Sequence, residues 1–343
     1  MTKHIAVLPC DGAGKEVVPE AIKVLTAAGA HFEYEQFDVN ADAYLRTKVA
    51  IPAEIWSQLE RADAILFGAV GDPRVPEAHY LAGVLLRLRF ELDLYVNLRP
   101  AKLYDDRLSP LRREDRRPVD LLVVRENTEG LYVGLGGRFK KGTEQEVAVQ
   151  EDLNTYTGVT RILEYAFGAA KNEVVMVDKS NAMTFAGGLW QERWKAVSAK
   201  HPKLKTRHLF VDAAAMQLVK DPSQFDVIVT GNLFGDILSD LTAELIGGMG
   251  IAPSGNINPE TGRGLFEPVH GTAPDIAGRG IVNPIGAILS ASMMVRHLGD
   301  KNMADAIEAA VESAIRAGEC TRDIGGNLST GECGDAVAKR LRD

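Results

Sequence analysis

Short apolar runs alternate with longer amphipathic stretches along most of this 343-residue chain. The apolar runs have the length of strands, and the amphipathic stretches have the length and periodicity of helices. Such alternation favours an α/β protein whose sheet is largely parallel. The predicted strands are 4–8, 63–67, 119–125, 173–178, 207–212 and 225–230. The predicted helices are 15–28, 52–60, 80–91, 157–170, 184–199, 234–246, 285–297 and 301–317.

Length, charge and hydropathy exclude several classes of protein. At roughly 150 residues per domain, 343 residues predict about two globular domains. The net charge of −8 argues against a nucleic acid or an anionic membrane as a partner. No apolar run approaches the roughly 18 residues that cross a membrane, and the strand-like residues 5–8 leave no room for a signal peptide. We therefore expect a cytoplasmic protein of enzyme size.

Two common site motifs are missing from the sequence. Cys10, Cys320 and Cys333 show no CxxC spacing, so neither a zinc site nor a disulfide framework is indicated. Gly12 and Gly14 follow the first predicted strand, but Val17 stands where GxGxxG would need its last glycine. A nucleotide, if one binds, is therefore bound in another way than in a classical Rossmann fold.

Two segments fall outside the strand–helix alternation. Residues 134–155 alternate with a period of two through Glu146–Gln150 and predict a hairpin. A protruding hairpin is a common dimerisation device, and an ordinary edge hairpin is the alternative. The basic cluster 112–117 is interrupted by acids, so we interpret it as a solvated loop.

Asp236 and Asp240 follow a predicted strand, in Gly-Asn-Leu-Phe-Gly-Asp-Ile-Leu-Ser-Asp (231–240). Residues at i and i+4 share one helix face, so both carboxylates can point at one place. Two carboxylates suit a hard divalent cation such as Mg²⁺ or Mn²⁺, and α/β folds keep ligands at such junctions. The alternative is that both aspartates only complement the helix dipole.

Three arginines follow or end apolar segments. They are Arg89, on a mostly apolar helix, Arg99, after the strand-like residues 94–98, and Arg125, at the end of the run 119–124. Guanidinium groups bind carboxylates through two parallel hydrogen bonds, so three convergent arginines would hold a dicarboxylate. Taken singly, each could instead be a structural ion-pair partner.

Lys179 and Tyr132 are candidates for proton transfer. Lys179 follows the strand 174–178, and a lysine in a closed cleft can work as a general base. Tyr132 follows the segment 125–131 and could be a general acid. A lone tyrosine is more commonly a packing residue.

These pieces resemble the isocitrate/isopropylmalate dehydrogenase family, the β-decarboxylating dehydrogenases. The resemblance runs from residue 8 to about residue 327. Its motifs are Asn-Leu-Arg-Pro-Ala-Lys (97–102), Val-Arg-Glu-Asn-Thr-Glu-Gly-Leu-Tyr (124–132), Asp-Lys-Ser-Asn (178–181), Val-Asp (211–212), the segment 231–240, and Glu-Pro-Val-His-Gly-Thr-Ala-Pro-Asp-Ile-Ala-Gly (267–278). The chain looks most like the isopropylmalate branch, and it also resembles the D-malate/tartrate branch at 136–138 and 327–330.

The resemblance implies an α/β, two-domain, isopropylmalate-dehydrogenase-like fold with a shared mixed sheet, not a classical Rossmann fold. A discontinuous cofactor-binding domain would comprise 1–96 and 247–343. A substrate and dimerisation domain would comprise 97–246, with an arm at 134–155. The active site would lie between the two domains.

The resemblance also assigns roles to individual residues. The substrate's two malate carboxylates would be bound by Arg89, Arg99 and Arg125. The metal, Mg²⁺ or Mn²⁺, would be held by Asp236, Asp240 and, from the other subunit of a homodimer, Asp212. Lys179, also from the other subunit, would assist deprotonation of the C2 hydroxyl, and Tyr132 would protonate C3. NAD would be bound by Glu267, His270, Gly271, Ala273, Asp275, Ile276 and Asn283.

The implied reaction is the metal- and NAD-dependent oxidative decarboxylation of a 3-substituted malate. The first choice is 3-isopropylmalate, which gives 4-methyl-2-oxopentanoate and CO₂ in leucine biosynthesis. The alternatives are D-malate or tartrate, then isocitrate or homoisocitrate. A non-catalytic regulatory subunit is an alternative of another class, but such chains tend to lose the catalytic residues, which are all present here.

Some positions depart from the family pattern. Cys10 stands where a glycine usually precedes Asp11, and Ala13 and Lys15 replace the commoner Ile and Pro. Leu81 and Ala82 stand where many isopropylmalate enzymes carry a glutamate. These departures leave the exact substrate open.

Leu85 and Leu86 are the candidates for the pocket of the substrate tail. On an α-helix through 82–89, Ala82, Leu85, Leu86 and Arg89 share one face. The two leucines would favour an isopropyl group and would leave the extra carboxylate of isocitrate unpaired. The alternative is that both leucines only pack the helix into the core.

Asp275 predicts a preference for NAD over NADP. A carboxylate there can accept hydrogen bonds from the ribose 2′-hydroxyl and would repel a 2′-phosphate. The NADP-dependent relatives tend to have Lys-Tyr where this chain has Asp275 and Ile276.

Overall fold

The computed structural model describes residues 2–75, 77–112 and 118–342. The predicted solvated loop 112–117 therefore lies, apart from its first residue, outside the described residues. The strands are β1 Lys3–Cys10, β2 Phe32–Gln36, β3 Ala64–Ala69, β4 Val96–Lys102, β5 Asp120–Glu126, β6 Gly136–Phe139, β7 Val147–Gln150, β8 Glu173–Asp178, β9 Lys205–Phe210, β10 Val227–Thr230, β11 Pro253–Asn258 and β12 Arg263–Pro268.

Most helices lie between consecutive strands. The α-helices are α1 Gly14–Ala27, α2 Ala41–Thr47, α3 Ala53–Leu59, α4 Glu77–Leu81, α5 Arg87–Glu91, α6 Tyr156–Ala169, α7 Thr184–Ser198, α8 Val211–Lys220, α9 Asn232–Ile246, α10 Ile285–His297, α11 Lys301–Arg316 and α12 Thr330–Arg340. A π-helical turn, Ala82–Leu86, joins α4 to α5. Short 3₁₀ turns lie at Asp106–Leu108, Leu131–Val133, Pro222–Gln224, Met249–Ile251 and Arg322–Ile324.

Ten of the described strands form one mixed sheet, in the order β2-β1-β3-β12-β11-β4-β5-β10-β8-β9. The strands β2, β1, β3 and β12 run parallel to one another, and so do β5, β10, β8 and β9. Between these two parallel halves, β11 and β4 pair antiparallel with each other and with their outer neighbours. The shared mixed sheet confirms the predicted fold class. The division into two domains stays a prediction, since the sheet runs without a break across the predicted boundary.

The antiparallel centre of the sheet places polar side chains on one face. Asn97 of β4 lies opposite Asn256 of β11 on one side and opposite Arg125 of β5 on the other. Residues directly opposite in neighbouring strands share a face, and so do residues two apart in one strand. Arg99 therefore lies on the same face as these three residues, and the candidate site is built on this face.

At β1 the two faces of the sheet belong to different hydrophobic clusters. The alternation along β1 shows this directly, because Ile5 and Val7 belong to the larger cluster, whereas Ala6 and Leu8 belong to the smaller one. The larger cluster includes the buried sides of α1, α6, α10 and α11. The smaller cluster contains Val84 and Leu88, which attach the segment α4–α5 to the sheet.

The predicted elements agree with the structure except at a few places. All eight predicted helices are confirmed, although the helix predicted at 80–91 contains the π-helical turn. The strand predicted at 207–212 is wrong at its end, because β9 ends at Phe210 and α8 begins at Val211. Asp212 lies in the first turn of α8, where a carboxylate complements the helix dipole, and three alanines that favour helix follow it.

The predicted hairpin at 134–155 is confirmed. The strands β6 and β7 pair only with each other and form a separate two-stranded sheet. Both strands are exposed along their whole length, including Phe139, Val147 and Val149. A role of this hairpin in dimerisation stays a prediction.

The three cysteines are buried free thiols. Cys10 has a φ of 57°, in the left-handed region where a glycine costs least. The structure thus accounts for the glycine that the family usually has at this turn. Within the described ranges, none of the helices is both long and apolar enough to cross a membrane.

Candidate active site

The three predicted arginines come together on one face of the central strands. Arg89 lies on α5, Arg99 on β4 and Arg125 on β5, and all three side chains are buried. Burial lowers the pKa of Arg99, and so does the Arg89 guanidinium. Burial also lowers the pKa of Arg125, with both other arginines acting in the same direction. Three buried cations close enough to affect one another are the kind of arrangement that can bind an anion.

Each of these arginines has a carboxylate partner in the chain itself. Arg89 binds the buried Glu267 at 2.9 Å, Arg125 binds Asp236, and Arg99 lies 3.7 Å from Asp240. Ion pairing, the alternative interpretation for single arginines, therefore occurs. The side chains of Asp236 and Asp240 are nevertheless 35% and 51% exposed, so the cluster is open to solvent on that side.

Asp236 and Asp240 lie on α9 with the predicted spacing of one helical turn, and each contacts an arginine of the cluster. The helix approaches β5 closely at Gly235, where an added Cβ would lie 2.6 Å from the Arg125 side chain. Glycine is therefore required at this position for α9 to pack so close.

Tyr132 lies in the 3₁₀ turn Leu131–Val133 and contacts Asp236 of this carboxylate pair. Its hydroxyl donates a hydrogen bond of 2.6 Å to Asp236, and the Arg125 guanidinium lies 5.2 Å from the centre of its ring. Burial raises the pKa of Tyr132, and the hydrogen bond to Asp236 raises it further. The hydroxyl therefore keeps its proton at neutral pH, as a general acid must.

Lys179 and Asp212 form a separate pair. The Lys179 ammonium lies 2.7 Å from the Asp212 carboxylate, at the end of β8 and the start of α8. This hydrogen bond lowers the pKa of Asp212. The described part of the chain contains no group of three His, Cys, Asp or Glu side chains that could hold a metal, so Asp212 does not join Asp236 and Asp240 within one chain.

The donor set of Asp236 and Asp240 fits a divalent cation. Both provide hard oxygen ligands, which Mg²⁺ and Mn²⁺ prefer, and both open onto the same exposed side of the arginine cluster. One chain supplies two of the three predicted carboxylates, so a three-carboxylate site needs a ligand from a second chain.

The predicted cofactor loop borders a cleft of about 870 Å³. Of the predicted cofactor residues, those that line the cleft are His270, Ala273, Ile276 and Asn283. The Nε2 atom of His270 is buried and has no hydrogen-bond partner among the described residues. An unsatisfied buried nitrogen fits a polar ligand such as the adenine of a dinucleotide.

The other predicted cofactor residues lie elsewhere. Gly271 and Asp275 are exposed on the same loop and are not part of the cleft lining. Glu267 is on β12 and belongs to the arginine cluster through Arg89.

The loop after β1 packs against the predicted cofactor loop. Ala13 donates a backbone hydrogen bond of 2.8 Å to the Thr272 carbonyl. Gly12 has a φ of 46°, and an added Cβ there would lie 2.2 Å from the same carbonyl oxygen. The Glu16 carboxylate accepts hydrogen bonds from the backbone of Gly278 and Gly280. Gly12 thus packs against the loop that borders the cleft, whereas Gly14 packs against the backbone of Pro9 and Ala69.

The π-helical turn affects the predicted tail pocket. A π-helix, with hydrogen bonds from i to i+5, turns through a smaller angle per residue than an α-helix does. Residues 82–86 therefore do not follow the spacing assumed for one α-helical face. Leu85 packs against the smaller hydrophobic cluster, as the alternative interpretation expects, whereas Leu86 is partly buried and is not in contact with that cluster. The pocket role of both leucines stays a prediction.

Several polar residues of the site were missed at the sequence level. Asn97, Ser254, Asn256 and Asn127 are all completely or nearly completely buried and form one hydrogen-bond network, in which Asn97 and Asn256 link Arg99 to the Glu267–Arg89 pair. For Asn97, Ser254 and Asn256 the signal was the polar character of residues inside strands, whereas Asn127 follows the end of β5. A polar residue in a buried strand indicates a hydrogen-bond network but not its partners.

Comparisons with known proteins agree with this architecture. The isocitrate/isopropylmalate dehydrogenase family model matches residues 4–337. A 3-isopropylmalate dehydrogenase of Thermobifida fusca (strain YX) is 45% identical over 351 residues, covering 100% of this chain and 98% of the relative. One of Rhodococcus erythropolis (strain PR4) is 44% identical over 342 residues, covering 98% and 99%.

Solved structures have the same fold. Isocitrate dehydrogenase from Methylococcus capsulatus matches with a TM-score of 0.92 and 34% identity, and each chain is covered completely. The TT0538 protein from Thermus thermophilus matches with a TM-score of 0.89 and 38% identity, covering 100% of this chain and 68% of that one. The chain therefore belongs to the isocitrate/isopropylmalate dehydrogenase family and is a decarboxylating dehydrogenase.

Proposed function

We propose that this dehydrogenase oxidises and decarboxylates 3-isopropylmalate to 4-methyl-2-oxopentanoate and CO₂, with NAD as the hydride acceptor, in leucine biosynthesis. One observation supports this most directly: three buried arginines face two partly exposed carboxylates one helical turn apart. A malate has two carboxylates for the arginines and a C2 hydroxyl next to them. The names of the relatives from Thermobifida fusca and Rhodococcus erythropolis point to the isopropyl-substituted malate.

In this proposal Arg89, Arg99 and Arg125 bind the two malate carboxylates and orient C2 and C3. Asp236 and Asp240, with Asp212 of a second subunit, would hold Mg²⁺ or Mn²⁺. A bound divalent cation supplies Lewis-acid stabilisation of negative charge on the C2 oxygen. Bound NAD supplies the acceptor for the C2 hydride.

Two side chains of the protein would move protons. Lys179 of the second subunit would assist removal of the C2 hydroxyl proton as the C2 hydride leaves, which gives a 2-keto acid. Loss of CO₂ from C3 then leaves the electron pair in an enolate. Tyr132 donates its hydroxyl proton to C3 of the enolate, and the product is the 2-keto acid with one carbon fewer.

We also propose a homodimer with shared active sites, in which Lys179 and Asp212 serve the neighbouring subunit. Exposed apolar side chains on α7, α8 and α9 support this, because apolar patches on a soluble chain mark interaction surfaces. They are Phe185, which is 95% exposed, Met216, Val219 and Ile237. The exposed hairpin β6–β7 would be a further contact.

The proposal also includes the division into two domains and the cellular location of the protein. Residues 1–96 and 247–343 would form the cofactor domain, and 97–246 the substrate and dimerisation domain. The arginine cluster and the cleft beside His270 lie on parts of the chain that this division assigns to both domains. A cytoplasmic location is expected for this activity.

D-malate is the second candidate substrate. The observation that favours it is the contact of Leu85 with the core, which leaves Leu86 as the remaining predicted contact for an isopropyl group. A smaller apolar contact discriminates less against a malate without the substituent.

The test is NADH formation from 3-isopropylmalate, D-malate, isocitrate and homoisocitrate, each with saturating Mn²⁺. We expect the highest kcat/KM with 3-isopropylmalate, D-malate second and isocitrate a distant third. D-malate in first place would assign the chain to the sister branch. Isocitrate in first place would contradict the apolar pocket, and a folded protein inactive with all four acids would contradict the proposed activity.

A further inference from the structure

A continuous series of buried hydrogen bonds joins Arg99 to Arg89 across three strands. The Nε of Arg99 donates to the Asn97 side-chain oxygen at 3.0 Å. The Asn97 amide donates to the Asn256 side-chain oxygen at 2.9 Å. The Asn256 amide donates to Glu267 at 3.0 Å, and Arg89 donates to the same Glu267 oxygen at 2.9 Å. All the intermediate side chains are buried.

The two amides are held in one orientation. The Asn256 oxygen accepts from Asn97 and Asn127, and its amide donates to the Leu265 carbonyl and to Glu267. The Asn97 amide donates a second hydrogen bond, of 3.0 Å, to the Ser254 hydroxyl. Because an amide has one accepting and one donating end, rotation by half a turn would place like groups against each other. The Asn97 oxygen is therefore directed at Arg99.

The chemical type of residue 97 matters because an asparagine side chain carries no charge. A neutral amide oxygen fixes the Arg99 guanidinium without neutralising its charge. Arg89 and Arg125, by contrast, are paired with the carboxylates of Glu267 and Asp236. The nearest carboxylate to Arg99 is Asp240 at 3.7 Å, beyond hydrogen-bond distance. Arg99 is thus the arginine of the cluster whose charge is least compensated by the protein.

A purely structural role would not require this arrangement. Well-packed apolar side chains in a buried sheet are generally at least as stabilising as buried polar groups. A network that ends on two arginines of the anion receptor instead preorganises that receptor. Positioned groups bind a ligand more tightly because the conformational freedom is already lost before binding.

We propose that Asn97 is a positioning residue for the reaction: it holds the Arg99 guanidinium in place, still charged, for one carboxylate of a malate-type dicarboxylate. The proposal rests on the proposed function, in which Arg99 binds the substrate. Asn256 extends the arrangement by connecting Asn97 to the Glu267–Arg89 pair.

The decisive variant is Asn97→Asp, which keeps the size of the side chain and its contact with Arg99 but adds a competing carboxylate. The KM for 3-isopropylmalate should rise about tenfold or more, because the Arg99 charge is then compensated within the protein. The KM for NAD should stay within about twofold of the wild type. A rise in both KM values together, with a loss of thermal stability to match, would indicate a structural role and overturn the proposal.

Asn127 provides a matched control. It is a buried asparagine of the same network, and its amide donates to the Asn256 oxygen and to the Leu94 carbonyl, but its side chain makes no hydrogen bond to either arginine. The Asn97 side chain makes three hydrogen bonds and the Asn127 side chain makes two, so the two serine variants differ mainly in the bond to Arg99. We expect a higher substrate KM only for Asn97→Ser, at similar losses in melting temperature. Equal substrate KM values in the two serine variants would contradict the proposal.

A double-mutant cycle shows whether Asn97 acts through Arg99. The dissociation constant of 3-isopropylmalate is measured by calorimetry, with Mn²⁺ and without NAD. It is measured for the wild type, for Asn97→Asp, for Arg99→Lys and for the double variant. The effect of Asn97→Asp should largely disappear in the Arg99→Lys background. An undiminished effect would overturn the proposal. A folded wild type without turnover of any of the four acids would instead overturn the proposed function itself, and this assignment with it.

Discussion

The Tyr132 hydroxyl donates a hydrogen bond of 2.6 Å to the Asp236 carboxylate, although 104 positions separate the two residues in the chain. The same carboxylate binds Arg125. In the proposed mechanism this one acid connects the proton donor, a substrate arginine and the metal. A change at Asp236 should therefore affect catalysis more than a change at an ordinary ion-pair partner.

Asp236→Asn should lower turnover about a hundredfold or more at saturating Mn²⁺, since even residues that only support a metal ligand contribute 10–100-fold. The fold should be retained, as measured by circular dichroism and melting temperature. Asp305→Asn is the matched control, because Asp305 is an exposed partner of Arg296 far along the chain from the site. Near-normal turnover of a folded Asp236→Asn protein would exclude Asp236 as a metal ligand.

The shared active site predicts complementation between two inactive variants. Lys179→Met and Tyr132→Phe should each be nearly inactive alone. After subunit exchange, one site of every hybrid dimer combines an intact Tyr132 with an intact Lys179 from the partner, so activity should return. Differently tagged subunits verify the exchange. Hybrids that form but stay inactive would mean that both groups serve the site of their own chain.

The parts of the fold that could be predicted are those with a strong periodic signal. The strands β1, β5, β8 and β10 each contain an unbroken run of three or four apolar residues, and α11 carries a regular apolar stripe. By contrast, β11 reads Pro-Ser-Gly-Asn-Ile-Asn and was not predicted. Its polar side chains Ser254 and Asn256 are buried because both form hydrogen bonds with Asn97. The burial of β11 depends on partners that are distant in the chain, and local strand propensity contains no information about them.

In the site, too, the local features could be predicted from the sequence, whereas the features that depend on distant strands could not. The i,i+4 spacing of Asp236 and Asp240 is a local property, and the structure shows it. The convergence of Arg89, Arg99 and Arg125 depends on the order of strands in the mixed sheet, which no single segment encodes. The π-helical turn at Ala82–Leu86 has no sequence signal that we recognised. It lies in the segment where the chain departs from the family pattern.

Asp275 predicts that kcat/KM is higher with NAD than with NADP. Its carboxylate is exposed on the cofactor loop, where it would repel a 2′-phosphate. Arg279 and Arg322 line the cleft that this loop borders and would act in the opposite direction. Asp275→Asn should therefore reduce the preference for NAD severalfold, mainly by improving the KM for NADP. A wild-type kcat/KM for NADP equal to or above that for NAD would show that the arginines dominate.

Glu126 should make the protein less stable as the pH rises. Burial raises the pKa of Glu126 to about 7, against the hydrogen bonds from Thr128 and Glu129. An unfolded glutamate titrates near about 4.3, so unfolding releases a proton between these two values and stability falls with pH in that window. Glu126→Gln removes this titration. The melting temperature of the variant minus that of the wild type should increase from pH 4.5 to pH 8.

Glu332→Gln is the control for that comparison. The hydrogen bond from the Ser329 backbone lowers the pKa of the exposed Glu332. The contribution of Glu332 to stability is therefore fully present above the pKa of an unfolded glutamate, and it is lost only as the pH falls below that value. The difference between this variant and the wild type should be constant from pH 5 to pH 8. An equally constant difference for Glu126→Gln would show that Glu126 is ionised throughout the range.

Leu86 should determine how well the enzyme distinguishes 3-isopropylmalate from D-malate. A leucine against the isopropyl group contributes roughly 0.8 kcal/mol per buried CH₂, so Leu86→Ala should lower kcat/KM for 3-isopropylmalate about tenfold and leave that for D-malate nearly unchanged. Leu85→Ala is the matched comparison, because Leu85 packs against the smaller hydrophobic cluster. It should lower the melting temperature and affect both substrates equally. The reverse pattern would place Leu85 in the tail pocket, and no discrimination by either variant would remove both leucines from it.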